Sequence, residues 1–422
     1  MNNKIKAETW EILQLMFEKF EYNDHQLHFQ ATFEGKINEQ ALLNSIKLSI
    51  KSLPLLNCRY IDKSPYPYWT KDDFNIQDYF KVKRVLSDDL NKDCAENITY
   101  CTNAQNGPQI HVTLIKGLTH DAICISLNHQ LCDATGFQQY LWDLSNIYSQ
   151  MLKNPDYQPP LNSYSRGLSQ ILKNFTEEEI KGISESTEGE IKTKDGVTFD
   201  FKGDKNRPFI VSHKLSPTRL KAMKAIAKPI GATVNDILFA ALFRSLYKTM
   251  PENKITTLPC PIDLRKYYLP KDFKTGICNL NSFITCSITS SLDDSFTETL
   301  AKVKQAMDLQ KKSSISLKGT ILMEQIFQTM EYEEAYNLIA KSFSNPLISL
   351  TNIGIIDDQK LHFEGAEITE TFISGSIKFK PYFQIGTTTF KDEMTLTVNL
   401  YGTVEDELKI KNFLMIMDNE LP

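Results

Sequence analysis

The chain has 422 residues, 41% of them hydrophobic, which is too long for one ordinary compact core and favours two domains or two fused halves. Its 47 Lys and Arg residues stand against 52 Asp and Glu residues, giving a net charge of −5. This balance gives no electrostatic reason to expect a nucleic-acid partner or an anionic membrane surface.

The targeting signals and the cysteines bound the cellular context. The N-terminus lacks the pattern of a secretory signal, and no window approaches the length of a transmembrane helix, so no membrane span is expected. The eight cysteines include no Cys-x-x-Cys pair and no histidine at zinc spacing, so no metal site is predicted. Several of them, such as Cys124 and Cys286, stand inside apolar strand patterns. These features favour a reduced, cytoplasmic protein.

The first part of the chain alternates short strand and helix patterns, which is typical of an α+β unit. Alternating apolar residues predict a strand over His25–Phe33, and Asn38 is placed to cap the helix that follows. His25 and His28 flank the start of that strand and, with no third ligand in view, are predicted to be surface residues rather than a metal pair. The stretch Leu53–Ile61 ends that helix at its proline and starts another strand, and strand-like pieces follow at Phe80–Val85 and Ile110–Ile115.

The stretch from Asp121 to Met151 combines a buried strand, a polar turn and a helix. Apolar residues predict the strand over Ala122–Leu127, and the turn runs through His129 to Asp133. Either Asp133 or Thr135 is suited to cap the helix that follows. A histidine at the end of a buried strand, with a carboxylate four residues later, is a sensible arrangement for proton transfer. The alternative is a hydrogen-bonded loop histidine with Asp133 acting only as a cap.

The second half repeats the α+β style after a proline- and glycine-containing crossover. We predict an N-terminal subdomain over residues 1–153, a crossover over 154–201 and a C-terminal subdomain over 202–422. The elements predicted beyond the crossover are a strand at Phe209–Leu215, a long helix from Gly231 to Tyr247, a strand at Thr256–Arg265, a loop that passes into an alternating strand over Thr275–Ile288, a polar helical region from Asp293 to about Tyr336, and strands at Thr371–Ile377, Phe383–Phe390 and Met394–Tyr401.

Other common chemistries lack their motifs. The sequence contains no P-loop, no Gly-x-Gly-x-x-Gly and no Gly-x-Ser-x-Gly nucleophile elbow. Cys132 lies inside the central turn, but an adjacent carboxylate does not favour a thiolate. A cysteine nucleophile is therefore disfavoured.

The central turn resembles the His-x-x-x-Asp motif of the thioester-dependent acyltransferase superfamily, which includes chloramphenicol acetyltransferase, the condensation domains of peptide synthetases and alcohol acyltransferases. Asn128 stands where many relatives carry a first histidine, and Ala134 replaces the usual glycine. Four further segments resemble family motifs in the same order along the chain: Leu53–Leu56, Gly231–Leu246, Ile262–Arg265 and Leu350–Gly354.

This resemblance implies an α/β (α+β) fold of two chloramphenicol-acetyltransferase-like subdomains that form a V around a central tunnel, with His129 near its midpoint. It implies that His129 is the general base. Asp133 is expected to turn away and pair with Arg265, which holds the loop in place. The oxyanion donor is predicted to be Thr351 or Asn352, with Asn279 and Asn281 as weaker candidates.

The implied activity is acyl transfer from a thioester donor to a hydroxyl or amine acceptor. The co-substrate would be acyl-CoA or the acyl-phosphopantetheine of an acyl-carrier protein, with no permanently bound cofactor, and the acceptor a small molecule. A monomer is expected. Two alternatives stay open: a stand-alone condensation enzyme that forms an amide, and a catalytically inactive member that keeps the fold for binding or docking.

Overall fold

The computed structural model describes residues 4–191, 197–250, 256–271 and 273–422. Its strands are β1 Lys4–Lys6, β2 Gln26–Glu34, β3 Cys58–Ile61, β4 Tyr68–Lys71, β5 Phe80–Arg84, β6 Ile110–Lys116, β7 Asp121–Asn128, β8 Pro208–Lys214, β9 Thr257–Asp263, β10 Asn281–Ser287, β11 Ile348–Ile356, β12 Glu367–Ser374, β13 Phe383–Phe390 and β14 Glu393–Tyr401. Its α-helices are α1 Thr9–Lys19, α2 Glu39–Ser52, α3 Ile76–Tyr79, α4 Asn91–Ile98, α5 Ala134–Lys153, α6 Ser169–Leu172, α7 Glu177–Glu185, α8 Pro217–Ile230, α9 Val234–Thr249, α10 Leu264–Tyr268, α11 Phe296–Lys312, α12 Ile315–Thr329, α13 Tyr332–Ser342 and α14 Val404–Glu420.

The first large sheet has the strand order β12-β2-β7-β6-β5. Its central strand β7 is buried along its whole length, because its apolar residues alternate with small or polar ones that helices and loops cover on the other face. Helices α2 and α5 pack against each other beside this sheet. The sheet therefore holds the end of β7, and the turn after it, in a rigid position.

One strand of this first sheet comes from the far end of the chain. Strand β12 pairs antiparallel with β2, with Thr371 opposite Ala31. The predicted subdomain over residues 202–422 thus contributes strand β12 to the first large sheet, whose other four strands lie within residues 1–153. The segment after β12 then crosses to the second sheet, where Lys378 forms isolated bridges with Asn23 and Leu400.

The second large sheet has the order β11-β13-β14-β8, and β9 and β10 form a separate antiparallel pair. Helix α9 lies in the middle of this half, with its apolar residues from Ile237 to Leu246 almost all fully buried. Helices α11 and α14 pack against it. Within the described ranges no single helix is long and apolar enough to cross a membrane, and only the bent pair α8 and α9 meets the length and composition criteria jointly.

Local chemistry explains where the predicted helices begin. The Asn38 side chain accepts the Ala41 N–H at 2.9 Å, as expected for the cap of α2. Of the two candidates for the cap of α5, Asp133 occupies the position. Strand β9 ends two residues before the predicted limit, because Asp263 caps the short helix α10 and Arg265 lies in its first turn.

Three sequence-based expectations differ from the structure. His25 and His28 are not surface residues, since both are buried at the start of β2. The strand predicted at Thr371–Ile377 is β12, which begins four residues earlier and ends at Ser374. Helix α14 is absent from the predicted elements, although its buried residues Ile410, Phe413, Leu414 and Met417 lie at three- and four-residue steps.

Candidate active site

The site begins where β7 ends. Asn128 occupies the last position of that strand, and its side chain holds the turn: Oδ1 accepts the Gln130 N–H at 2.8 Å, and Nδ2 donates to Gln109 Oε1 at 2.6 Å. Asn128 is fully buried. The residue that stands in place of a first histidine is therefore a structural part of the turn.

His129 lies in this turn and is half-buried. Its backbone N–H donates to the carbonyl of His25 at 2.8 Å. Its Nδ1 is fully buried and, among the described residues, has no hydrogen-bond partner outside its own residue, whereas Nε2 is not fully buried. Nε2 is thus the ring nitrogen that remains available to a substrate.

The surroundings of His129 favour the neutral imidazole. Burial lowers its pKa to about 4, although its own backbone carbonyl and the Asp133 carboxylate act in the opposite direction. The charges of Lys378 and His25 lower it further. At pH 7 the ring is therefore unprotonated, which is the form that a general base requires.

Asp133 turns away from His129 and is surrounded by donors. Its Oδ2 accepts from Arg265 Nη1 at 2.8 Å and from the Leu280 N–H at 2.7 Å, and its Oδ1 accepts the Gly136 N–H at 2.9 Å. Arg265 also donates from Nη2 to the carbonyl of Cys278 at 2.8 Å. The structure thus brings Asp133 and Arg265 together across the two parts of the chain.

The Arg265 guanidinium has a second acidic neighbour. Asp263 Oδ1 lies 3.3 Å from Arg265 Nη1, and Asp263 Oδ2 accepts from Thr135 Oγ1 at 2.9 Å. Burial opposes the charged guanidinium, but the Asp133 carboxylate leaves the pKa of Arg265 above its ordinary value. The guanidinium of Arg265 is therefore permanently charged and pairs with two carboxylates, and these contacts hold the loop in place.

Asn279, a weaker candidate for the oxyanion donor, contacts the catalytic turn with its side-chain amide. Its Nδ2 donates to the carbonyl of His129 at 3.0 Å and to that of Gln130 at 2.9 Å. Both amide protons are used, so Asn279 cannot also donate to a substrate oxygen. Asn279 is therefore a second anchor for the turn, a role that no local sequence pattern indicates.

Gly136 contributes close packing that sequence reasoning missed. A Cβ at this position would lie 2.6 Å from the Cβ of Cys132 and 3.1 Å from the carbonyl of Cys278. The first turn of α5 and the loop around Cys278 therefore need a glycine here. Cys132 itself is fully buried, and burial raises the pKa of its thiol well above the ordinary value.

The predicted oxyanion donors lie on β11 in the other sheet. Asn352 is exposed and its Oδ1 accepts the Gly354 N–H at 3.0 Å, while Thr351 is half-buried. No hydrogen bond joins either residue to His129 in the part of the chain that the structure describes. Their strand does reach the helix after the turn, because Gln138 Nε2 donates to the carbonyl of Ile353 at 3.1 Å.

A cleft of about 850 Å³ opens beside the Asp133–Arg265 pair. Thr135, Gly136 and Trp142 of α5 line one side, and a segment around Tyr164 lines another. Three exposed lysines also line it: Lys266, Lys271 and Lys274.

The buried histidine His25 has an unusual backbone. Its φ of 43° lies in the left-handed region, which non-glycine residues rarely adopt. The Asn23 side chain accepts the His25 N–H at 2.8 Å and helps to hold this conformation. Because the His25 carbonyl receives the His129 N–H, the strained residue supports the turn directly.

No family model matches the sequence, and no curated protein matches it. The first condensation domain of the CDA synthetase superposes with a TM-score of 0.69 at 12% identity, covering 100% of this chain and 96% of that one. The trichothecene 15-O-acetyltransferase TRI3 from Fusarium sporotrichioides has a TM-score of 0.68 at 13% identity, covering 99% and 95%.

A third similar structure is the epimerization domain from the third module of tyrocidine synthetase B, with a TM-score of 0.67 at 13% identity over 99% of this chain and 96% of that one. The chain therefore has the α/β fold shared by condensation domains and chloramphenicol-acetyltransferase-like enzymes, which confirms the predicted fold class. Since these similar structures include both an acetyltransferase and an epimerization domain, the fold alone does not define the reaction.

Proposed function

We propose that the protein is an acyltransferase that moves an acyl group from a thioester donor to a hydroxyl or amine acceptor. The observation that carries this proposal is the geometry of His129. A neutral imidazole with an accessible Nε2 projects from a turn that Asn128, Asn279 and the Asp133–Arg265 pair all hold in place. Such rigid support is what a proton-transfer group needs to meet its substrate at one fixed angle.

In the proposed step, His129 Nε2 accepts the proton of the acceptor O–H or N–H while that oxygen or nitrogen bonds to the thioester carbonyl carbon. The tetrahedral adduct then collapses, the C–S bond breaks, and the leaving thiolate takes the proton back from Nε2. General base catalysis of this kind contributes about 10²–10⁴-fold. Thr351 or Asn352 remains our candidate for the oxyanion donor, supported by the approach of β11 to α5.

The donor is proposed to be acyl-CoA or an acyl-phosphopantetheine group. The cleft beside Arg265 supports this, because its lysines, Lys266, Lys271 and Lys274, offer positive charge to a phosphate. The tunnel that the family resemblance implies would let the donor and a small-molecule acceptor reach His129 from different sides.

The test is release of free thiol from a panel of acyl-CoAs, with and without candidate alcohols and amines. We expect acceptor-dependent release by the parent, loss of at least 10²-fold in His129→Ala, and no change in His120→Ala, which alters an exposed histidine in the turn between β6 and β7. Undiminished turnover by His129→Ala would contradict the proposed base.

The second candidate is a stand-alone condensation enzyme that joins a carrier-bound acyl group to an amine. The condensation domain of the CDA synthetase, with the same fold over the whole chain, favours it. Replacing acyl-CoA with an acyl-carrier protein in the same assay separates the two. A binding member without catalysis would release no thiol with either donor, and an intact His129 disfavours that reading.

A further inference from the structure

The side chain of Gln130 attaches the catalytic turn to helix α1. Gln130 directly follows His129 in the chain and is fully buried. Its Nε2 donates to the carbonyl of Glu11, in the first turn of α1, at 2.8 Å. This contact is separate from those of Asn279 and Arg265, which hold the turn to the C-terminal part of the chain. The turn is therefore fixed to elements of both parts of the molecule.

Glu11 is a firm attachment point because its carboxylate is itself held by several donors. Its Oε2 accepts from the Glu8 N–H at 3.0 Å and from Trp69 Nε1 at 2.7 Å, and its Oε1 accepts from Arg166 Nη1 at 2.6 Å. The carboxylate is 3% exposed and the guanidinium 14%. Charge-assisted hydrogen bonds in such a buried pair are strong and geometrically specific. No step of the proposed reaction uses this pair directly.

Arg166 also connects this part of α1 to the cleft in which we propose that the donor binds. Its Nη2 donates to the carbonyl of Lys6, just ahead of α1, at 3.1 Å. The carbonyl of the preceding residue, Ser165, accepts the Gly276 N–H at 3.2 Å. Gly276 and Tyr164 both line the cleft. The crossover therefore fixes α1, and the turn attached to it, relative to one wall of the donor cleft.

The backbone of Gln130 passes this attachment on to His129. The Gln130 N–H donates to Asn128 Oδ1 at 2.8 Å, and its carbonyl accepts from Asn279 Nδ2 at 2.9 Å. The peptide group that Gln130 shares with His129 is planar, so fixing Gln130 also restricts the direction in which His129 leaves the turn. Misplacing a reacting group by about 1 Å can lower the rate about 10²-fold.

We propose that Gln130 is a positioning residue for His129: its hydrogen bond to α1, supported by the Glu11–Arg166 pair, holds the imidazole at the angle that proton transfer requires. This inference rests on the proposed function and adds to it a residue that acts through His129 and not on the substrate.

The first test compares Gln130→Met with the matched variant Gln310→Met. Each substitution keeps the length of the side chain and removes a buried amide. Gln310 on α11 donates from Nε2 to the Gly189 carbonyl at 2.8 Å and accepts the Thr285 N–H at 3.1 Å, so its loss should destabilise the protein to a similar extent. We expect Gln130→Met to lower kcat by about 10-fold to 10²-fold with the KM for acyl-CoA unchanged, and Gln310→Met to change neither constant.

The second test follows His129 itself and needs no turnover. An NMR titration of its ring, assigned with His129→Gln, should give a pKa of about 4 in the parent and in Gln310→Met. In Gln130→Met the loosened turn should admit water to the ring. The pKa of His129 should then rise by about one pH unit or more toward its ordinary value of about 6.5.

An unchanged kcat or an unchanged pKa of His129 in Gln130→Met would overturn the proposal, as would an equal loss of kcat in Gln310→Met. If Gln130→Met does not fold, Gln130→Asn, whose amide is one methylene too short to reach the Glu11 carbonyl, decides by the same measurements. Loss of transfer in His129→Ala together with full transfer in Gln130→Met would refute this inference and leave the proposed acyltransferase standing.

Discussion

Replacing Asp133 with Asn tests how the catalytic turn is held. The substitution keeps the size of the side chain but removes the carboxylate that lies 2.8 Å from Arg265 Nη1, in a pair whose side chains are only 12% and 6% exposed. Breaking such a buried pair typically costs about 3–5 kcal/mol. Asp263 remains 3.3 Å from the same guanidinium nitrogen, which places the expected loss near the lower end of that range.

A loss of about 3 kcal/mol corresponds to a fall in melting temperature of roughly 6–12 °C in a domain of 150–250 residues. Urea unfolding gives the free energy, and calorimetry gives the melting temperature. The matched control is Glu364→Gln, which breaks an exposed ion pair with Lys153 at the opposite end of α5 and should leave the stability nearly unchanged.

The reasoning is refuted if Asp133→Asn is as stable as the parent or no worse than Glu364→Gln. A double-mutant cycle with Arg265→Met separates the pair from the cap that Asp133 forms on α5. If the ion pair dominates, the two substitutions together should cost less than the sum of their separate effects.

Three further predictions concern packing, proton transfer and the donor. Gly136→Ala should destabilise the protein by about 1–3 kcal/mol, because the added Cβ would clash with Cys132. Gly182→Ala in α7, where nothing lies within 4 Å of an added Cβ, should be neutral or stabilising by about 0.5–1 kcal/mol. Chemical denaturation of both variants measures the two effects. Burial lowers the pKa of His129 to about 4, so the base stays neutral above that pH. The value of kcat/KM should therefore be constant from pH 8 down to about pH 5 and then fall as the ring is protonated. A fall in kcat/KM with its midpoint near pH 6.5, about the ordinary pKa of histidine, would contradict the burial argument. Lys271→Glu should raise the KM for acyl-CoA by about tenfold with little change in kcat. Lys224→Glu, on the exposed face of α8, should leave that KM unchanged. Equal KM values in the two variants would contradict donor binding in the cleft.

Local patterns in the sequence were sufficient for the turn that carries His129. The buried strand, the polar break and the apolar period of α5 are all encoded within about thirty residues, so strand, turn and helix could be predicted together. The pairing of Asp133 with Arg265 came from the family resemblance, and the two residues do meet.

Contacts between distant parts of the chain could not be predicted in this way. His25 is polar and begins a strand, so it was expected on the surface, but the segment around Lys378 covers it from more than three hundred residues away. The sequence left Asn279 as a candidate hydrogen-bond donor to the substrate. Only the structure shows that both of its amide protons already bind carbonyl groups of the turn.

The place of β12 at the outer side of β2 has a consequence for synthesis on the ribosome. Until residues 367–374 emerge, the apolar strand Gln26–Glu34 is a free sheet edge that can pair with other chains. At typical elongation rates of about 5–20 residues per second, the roughly 340 residues between the two strands take about 17–70 s to make. We therefore expect nascent or truncated chains that end before β12 to need chaperone protection, and shortened versions of the N-terminal half to aggregate.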